Sequence, residues 1–155
     1  MFAWIENTPV AIWVGVSLWG YPFLLSLHAV GLAVVVGIFS VRDMRLLGLF
    51  RGLQPAVFLP LTKLARIGFV INAISGILLF TSQAVTFVNN TSFLVKIGFV
   101  ITGMILAQVI QSRLSDELAG ASGDVIIEKS TKLIALASLS CWVIAIIAGR
   151  LVAYT

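Results

Sequence analysis

The sequence predicts an all-α integral membrane protein, a four-helix bundle preceded by a short interfacial helix, and three observations carry that expectation. Of 155 residues, 60% are hydrophobic and only 10% charged, and the mean hydropathy is +1.12. A chain of this composition dissolves in lipid rather than in water. The apolar residues fall into four runs, each near the ~20 residues that a helix needs to cross a hydrocarbon core about 30 Å thick. The charges collect between those runs. Residues 1–155 therefore read as one membrane domain.

The elements follow in order. Residues 1–18 form the interfacial segment, with Trp4 and Trp13 as anchors and with Asn7 or Thr8 capping a helix that starts at Pro9. This stretch carries Glu6 and neither lysine nor arginine, so it lacks the positive leader of a secretory signal peptide and is expected to be retained. The spans are expected at about 19–41, 65–87, 93–111 and 133–153. Between the first two, Arg42 to Ala65 reads as an amphipathic segment along the inner surface, broken by Pro55 and Pro60. The connection Val88 to Ser92 has room only for a tight antiparallel turn. Its Asn89 and Asn90 match the glycosylation acceptor pattern, but so close to a membrane, and with no sign of a eukaryotic source, they are expected to stay unmodified. Gly120 and Gly123 punctuate the last loop, and Asp124 is placed to cap the final helix, near whose positive end Glu128 also sits.

Orientation comes from two signals. Arg42, Arg45, Arg51, Lys63, Arg66, Arg113, Lys129 and Lys132 fall in or beside the loops at one end, which places both termini on the outer, periplasmic face of a bacterial inner membrane. Trp13, Trp19, Tyr21 and Tyr154 collect at the outer boundary, as headgroup-level anchors do. The net charge of +4 is thus topological and points to no nucleic acid. The lone Cys141 excludes an internal disulfide.

Small residues mark the contacts. Ala137, Cys141, Ala145 and Gly149 recur every four residues along the last span, and Gly31, Gly37, Ala73, Gly76, Gly98 and Gly103 offer close approaches on the others. Some of these faces suit a second copy of the chain or a larger membrane complex. The strings Arg66–Asn72 and Lys96–Thr102 echo one another, which reads as coincidence of composition, since no span carries the paired Gly/Pro breaks of a transport site.

The one histidine, His28, lies about 13 Å below the outer end of the first span at 1.5 Å of rise per residue. An ionisable side chain at that depth is a functional hypothesis by default. Lys96 and Arg150 fall near the outer boundary of spans three and four, and Gly31 lies one turn below the histidine. A b-type haem would use such a set, with the imidazole of His28 on iron and the two cations on the propionates. Met104 is the candidate sixth ligand. Equally, His28 can hydrogen-bond to Ser26, Ser75 or a carbonyl across the bundle, Lys96 and Arg150 can snorkel to headgroups, and Met104 can be filler. Asp43 is expected to pair with Arg42, Arg45 or Arg66 and to fix where the first helix stops. No chain of intramembrane carboxylates supports a proton path.

The segments Trp19-Gly20-Tyr21-Pro22, His28-Ala29-Val30-Gly31-Leu32, Asp43-Met44-Arg45-Leu46-Leu47-Gly48, Asn90-Thr91-Ser92-Phe93-Leu94-Val95-Lys96 and Gly149-Arg150-Leu151-Val152-Ala153-Tyr154 resemble a family of uncharacterised bacterial four-helix membrane proteins, over nearly the whole chain. A histidine in the first span and a lysine early in a later one are also similar to the copper-resistance D superfamily and its relative, the haem-linked membrane protoporphyrinogen oxidase. That resemblance implies His28 and Lys96 in haem binding. The chain lacks the tryptophan- and arginine-rich surroundings of the oxidase, so its reaction is not carried over. Three functions follow as expectations: a haem-binding redox or electron-transfer protein, a non-catalytic accessory subunit of a larger complex, and a small copper or solute transporter. The last is poorly served by one His, one Cys and three Met.

Overall fold

A computed structural model describes residues 2–119 and 127–154, and all regular structure among them is helical. In chain order the helices are α1 (Ala3–Glu6), α2 (Pro9–Val16), α3 (Gly20–Leu46), α4 (Phe58–Thr81), α5 (Ala84–Asn89), α6 (Thr91–Ala119) and α7 (Lys129–Leu151), with a 3-10 turn Pro55–Val57 leading into α4. Four of them, α3, α4 with its leading turn, α6 and α7, have the length and hydropathy to cross a membrane. The chain is compatible with a multi-pass membrane protein.

The helices are not bounded by their apolar runs. α3 continues past Arg42 and Asp43 to Leu46, so Asp43 does not end it. The stop is Gly48, whose φ of +104° suits only glycine. There Gly48 donates to the Arg45 carbonyl and Leu49 reaches back to Met44, which closes the last turn. α4 begins at Phe58, because Pro60 falls in its first turn, where a missing N–H costs nothing. The supposed surface segment shrinks to residues 47–57. α4 also ends early, at Thr81 instead of Phe87. Thr81 and Ser82 turn their hydroxyls onto the Leu78 and Leu79 carbonyls, which competes with continuation of the helix. Residues 84–89, expected at the end of the second span, form the separate short helix α5, whose Val85 N–H donates to Glu6 at 2.8 Å, and the expected turn at Val88 to Ser92 narrows to Asn90 between α5 and α6. Phe80, Phe87 and Phe93 stack at centroid distances of 5.1 to 6.3 Å and tie α4, α5 and α6 together.

Thr8 starts α2 as expected, accepting the Ala11 N–H ahead of Pro9. Val14 of α2 is buried with Leu24 and Leu79, which tucks the N-terminal segment against α3 and α4. Trp4, Trp13, Trp19 and Tyr154 are all exposed, and hydrogen bonds from the Val85 N–H of α5 to Glu6 and from Asn90 to the Val152 carbonyl put both chain ends beside the α4–α6 connection. The placement of Gly120, Gly123 and Asp124 lies outside the described residues.

α3 runs against α4, and α6 against α7, with α3 also packed on α7. A β-carbon on Gly31 would come within 2.7 Å of the Gly68 carbonyl oxygen and 2.8 Å of the Asn72 nitrogen, so the α3–α4 crossing demands glycine there. On α7 the buried stripe is Thr131, Ala135, Ser138, Cys141, Trp142, Ala145 and Ala148. Ala137, from the every-four series, is exposed. At 3.6 residues per turn a strict step of four drifts about 40° each time and leaves the facing surface, whereas alternating steps of three and four stay on it.

Candidate functional site

His28 lies on the face of α3 that meets α4. Its Nδ1 stands 2.9 Å from the Asn72 carbonyl oxygen. A carbonyl only accepts, so Nδ1 carries the proton and Nε2 keeps its lone pair. Asn72 closes a second bond in the opposite direction, Nδ2 to the His28 carbonyl at 2.8 Å. Ser75, one turn further along α4, gives its own proton to Ile71 and leaves its oxygen 3.4 Å from Nδ1. Gly76 completes the notch: a β-carbon there would sit 2.9 Å from Cε1 of the imidazole. Asn72, Ser75 and Gly76, at spacings of three and four, form one face of α4 and fix the ring from one side.

From the other side comes Lys96 of α6. Its ammonium stands 3.5 Å from His28 Nε2. Its stem lies along α7 at Gly149, where a β-carbon would be 3.3 Å from Cδ. Gly149 thus gives the lysine its path inward. Both His28 and Lys96 are half-buried. The structure brings these two candidates together.

It puts the other two elsewhere. Arg150 is exposed and turned to Tyr154, with the guanidinium 3.0 Å from the phenol oxygen and over its ring. Met104 packs against the cluster of Val35, Phe39, Ala65, Ala107 and Trp142. Val35 lies about two turns deeper along α3 than His28. Ser26 bonds to the Pro22 carbonyl and leaves His28 alone. Among the described residues no group of three His, Cys, Asp or Glu could cage a metal ion.

No protein-family model, curated protein or solved structure matches the chain.

A second polar centre lies toward the other end of α3. Arg42 and Asp43 are both fully buried, with Nε and Nη2 of the arginine 2.9 and 2.8 Å from a single carboxylate oxygen, Oδ1. Arg42 Nη1 donates to the Ala107 carbonyl of α6 at 3.1 Å, and the guanidinium lies 4.8 Å from the centre of the Phe39 ring. Phe39 in turn stacks on Trp142 of α7 at 5.8 Å. The Arg42 partner for Asp43 was one of those read from the sequence. Phe39, Ser138 and Trp142 were missed, since nothing in a run of apolar residues says which aromatic faces a charge.

Proposed function

We propose that this chain is a membrane-embedded four-helix bundle that binds a b-type haem through His28 and serves in redox or electron transfer. The observation that supports it is the Nδ1 contact to the Asn72 carbonyl at 2.9 Å. Iron-ligating histidines hold their second nitrogen this way, which fixes the ring and makes Nε2 the better donor. The donor set suits a macrocycle better than a bare ion, because haem iron brings its own ring nitrogens and needs one or two protein ligands. Bound haem would supply a one-electron carrier within the lipid core.

His28 would hold the iron through Nε2, with Asn72 and Gly76 setting the angle of the ring. Lys96 would turn its ammonium from Nε2 to a propionate, as its flexible stem along Gly149 permits. Arg150, the residue after the Gly149 that Lys96 lies against, is a weaker propionate partner because it is engaged with Tyr154. Met104 packs two turns too deep to share an iron with His28, so the sixth position is left to a small ligand or to a second copy of the chain.

The test is a reduced-minus-oxidised absorption spectrum of the protein purified in mild detergent, beside His28→Ala. Sharp haem bands that vanish in the variant support the reading. A full haem complement in His28→Ala overturns it. A featureless spectrum from intact protein moves the assignment to a non-catalytic accessory subunit, a role favoured by Gly37 and Gly98, whose faces have nothing within 4 Å of an added β-carbon.

A further inference from the structure

We infer that α4 and α6 leave a side opening between them toward the lipid, and that through it a lipid-phase amphiphile with a carboxylate head reaches the His28–Lys96 pair. This holds for any such acid, haem with its propionates included, and so goes beyond the haem reading.

The packing of the long helices leaves the gap. α3 lies along α4, α6 along α7 and α3 along α7, whereas α4 and α6 approach one another at few residues. They are fastened near both ends. At one end Thr62 donates to Gln111 at 2.7 Å and Arg66 to Gln108 at 3.2 Å. At the other, Phe80 and Phe93 stack at 5.8 Å, with Phe87 of α5 against both. These pairs fix the antiparallel register, which sets Phe69 level with Met104, Ala73 with Val100 and Gly76 with Ile97. Phe69 and Met104 pack on the same buried cluster and close the floor. From Phe69 up to Phe80 is about 16 Å of helix.

Within that stretch the walls stand apart. Steps of three and four along α4 give the face turned to α6, and there the bulky Phe69 and Phe80 flank the small Ala73 and Gly76. A β-carbon on Gly76 would meet the His28 ring and no atom of α6 within 4 Å. Ala73, Gly76, Val100, His28 and Lys96 are all only half-buried, midway between two fastened ends. The stacked phenylalanines roof the opening on the α5 side, so its free mouth faces sideways.

The charge at its back selects the ligand. Lys96 turns its ammonium to the lone pair of His28 Nε2 at 3.5 Å, which leaves it two further N–H groups. No carboxylate among the described residues pairs with it, and an ammonium at membrane depth is costly without a counter-ion. A carboxylate accepts on both oxygens and supplies the missing charge. It can also cross the apolar layer as the neutral acid, which a phosphate diester cannot.

The test is lysine labelling of the full chain in phosphatidylcholine nanodiscs at about pH 9, where part of each amine is unprotonated, read by mass spectrometry. Phenyl isothiocyanate enters the lipid, and sulfosuccinimidyl acetate stays in water. Expected is Lys96 modified several-fold faster by the first, with the reverse at Lys63, Lys129 and Lys132, which are exposed near the starts of α4 and α7. Ala73→Phe with Val100→Phe, which fills the seam, should slow the Lys96 reaction several-fold. Oleate should slow it too, and methyl oleate should not. The same rates are taken in His28→Ala, because haem held by His28 would itself cover Lys96. Oleate protection in a chain without haem bands leaves this opening standing while the haem reading falls. Equal or faster labelling of Lys96 by the water-bound reagent overturns the opening, as does a Lys96 that neither reagent touches in His28→Ala, or a folded seam variant with an unchanged rate. Protection by methyl oleate equal to that by oleate overturns the carboxylate. The reagent and oleate contrasts need no altered seam, so they decide the matter if the double variant does not fold.

Discussion

The two polar centres on α3 are built in opposite ways. At Arg42 and Asp43 the charges are opposite, fully buried and paired at 2.8 Å, with the arginine also anchored to α6. At His28 and Lys96 both partners are bases, half-buried, and 3.5 Å apart. The first centre is electrically complete and works as a clamp between α3, α6 and α7. The second pins its imidazole from α4 but leaves a lone pair and a cation facing each other with no carboxylate in contact among the described residues. The His28 centre, with no carboxylate to neutralise Lys96 among the described residues, is therefore the one on which the proposed ligand reading rests.

The sharpest way to break that contrast is to strand the buried arginine. Asp43→Ala should cost about 3 to 5 kcal/mol, because it leaves a desolvated charge without its partner, read as loss of thermal stability in mild detergent. Replacing both members together, Arg42→Met with Asp43→Leu, should recover most of that loss. A double variant as unstable as the single one would mean that the Arg42 contact with Ala107, more than the ion pair, holds the centre. Next in size is Gly31→Val, which drives a side chain into the Gly68 carbonyl and should cost about 1 to 3 kcal/mol by overpacking. It should also loosen His28, which depends on the same α3–α4 crossing.

What could be read from the sequence follows the same division. The four apolar helices, the Thr8 cap and the Arg42 partner of Asp43 are local or compositional, and the sequence carries them openly. Helix ends are harder, because α3 runs on through its charged residues once Arg42 is satisfied by a carbonyl from another helix, and α4 stops where two hydroxyls turn back on the chain. His28 and Lys96 were legible as rare ionisable residues at related depths. Their company was not. Met104 seemed level with the histidine on a ruler, yet it packs against the cluster of Val35, Phe39 and Trp142, about two turns deeper along α3 than His28.

Two smaller substitutions separate anchoring from packing at His28. Asn72→Ala removes only the bond to the His28 carbonyl, since the Nδ1 partner is backbone. It should cost about 0.6 kcal/mol, the usual worth of a hydrogen bond between membrane helices, and should leave haem retention intact. Gly76→Ala instead presses on the ring itself, from 2.9 Å at Cε1. It should shift the haem absorption bands or lower haem content while changing thermal stability little. The reverse pattern, haem lost in Asn72→Ala and kept in Gly76→Ala, would show that Asn72 holds the iron ligand through the backbone of α3 more than through the ring.

The smallest effect is expected at Gly98→Ala, and its sign is informative. Gly98 lies on α6 only two residues past Lys96, yet faces away from the rest of the chain, with nothing within 4 Å of an added β-carbon. In an isolated chain the substitution should raise stability by up to about 1 kcal/mol, since glycine is the poorer helix former. If α6 instead packs closely against a second copy or a larger partner, the added methyl will split the assembly, seen as a smaller particle in light scattering, and the stability gain will vanish. A monomer that merely becomes more stable leaves the His28 site to work within one chain. An assembly that falls apart shows instead that a neighbouring helix covers the outer face of α6, opposite the face from which Lys96 reaches His28.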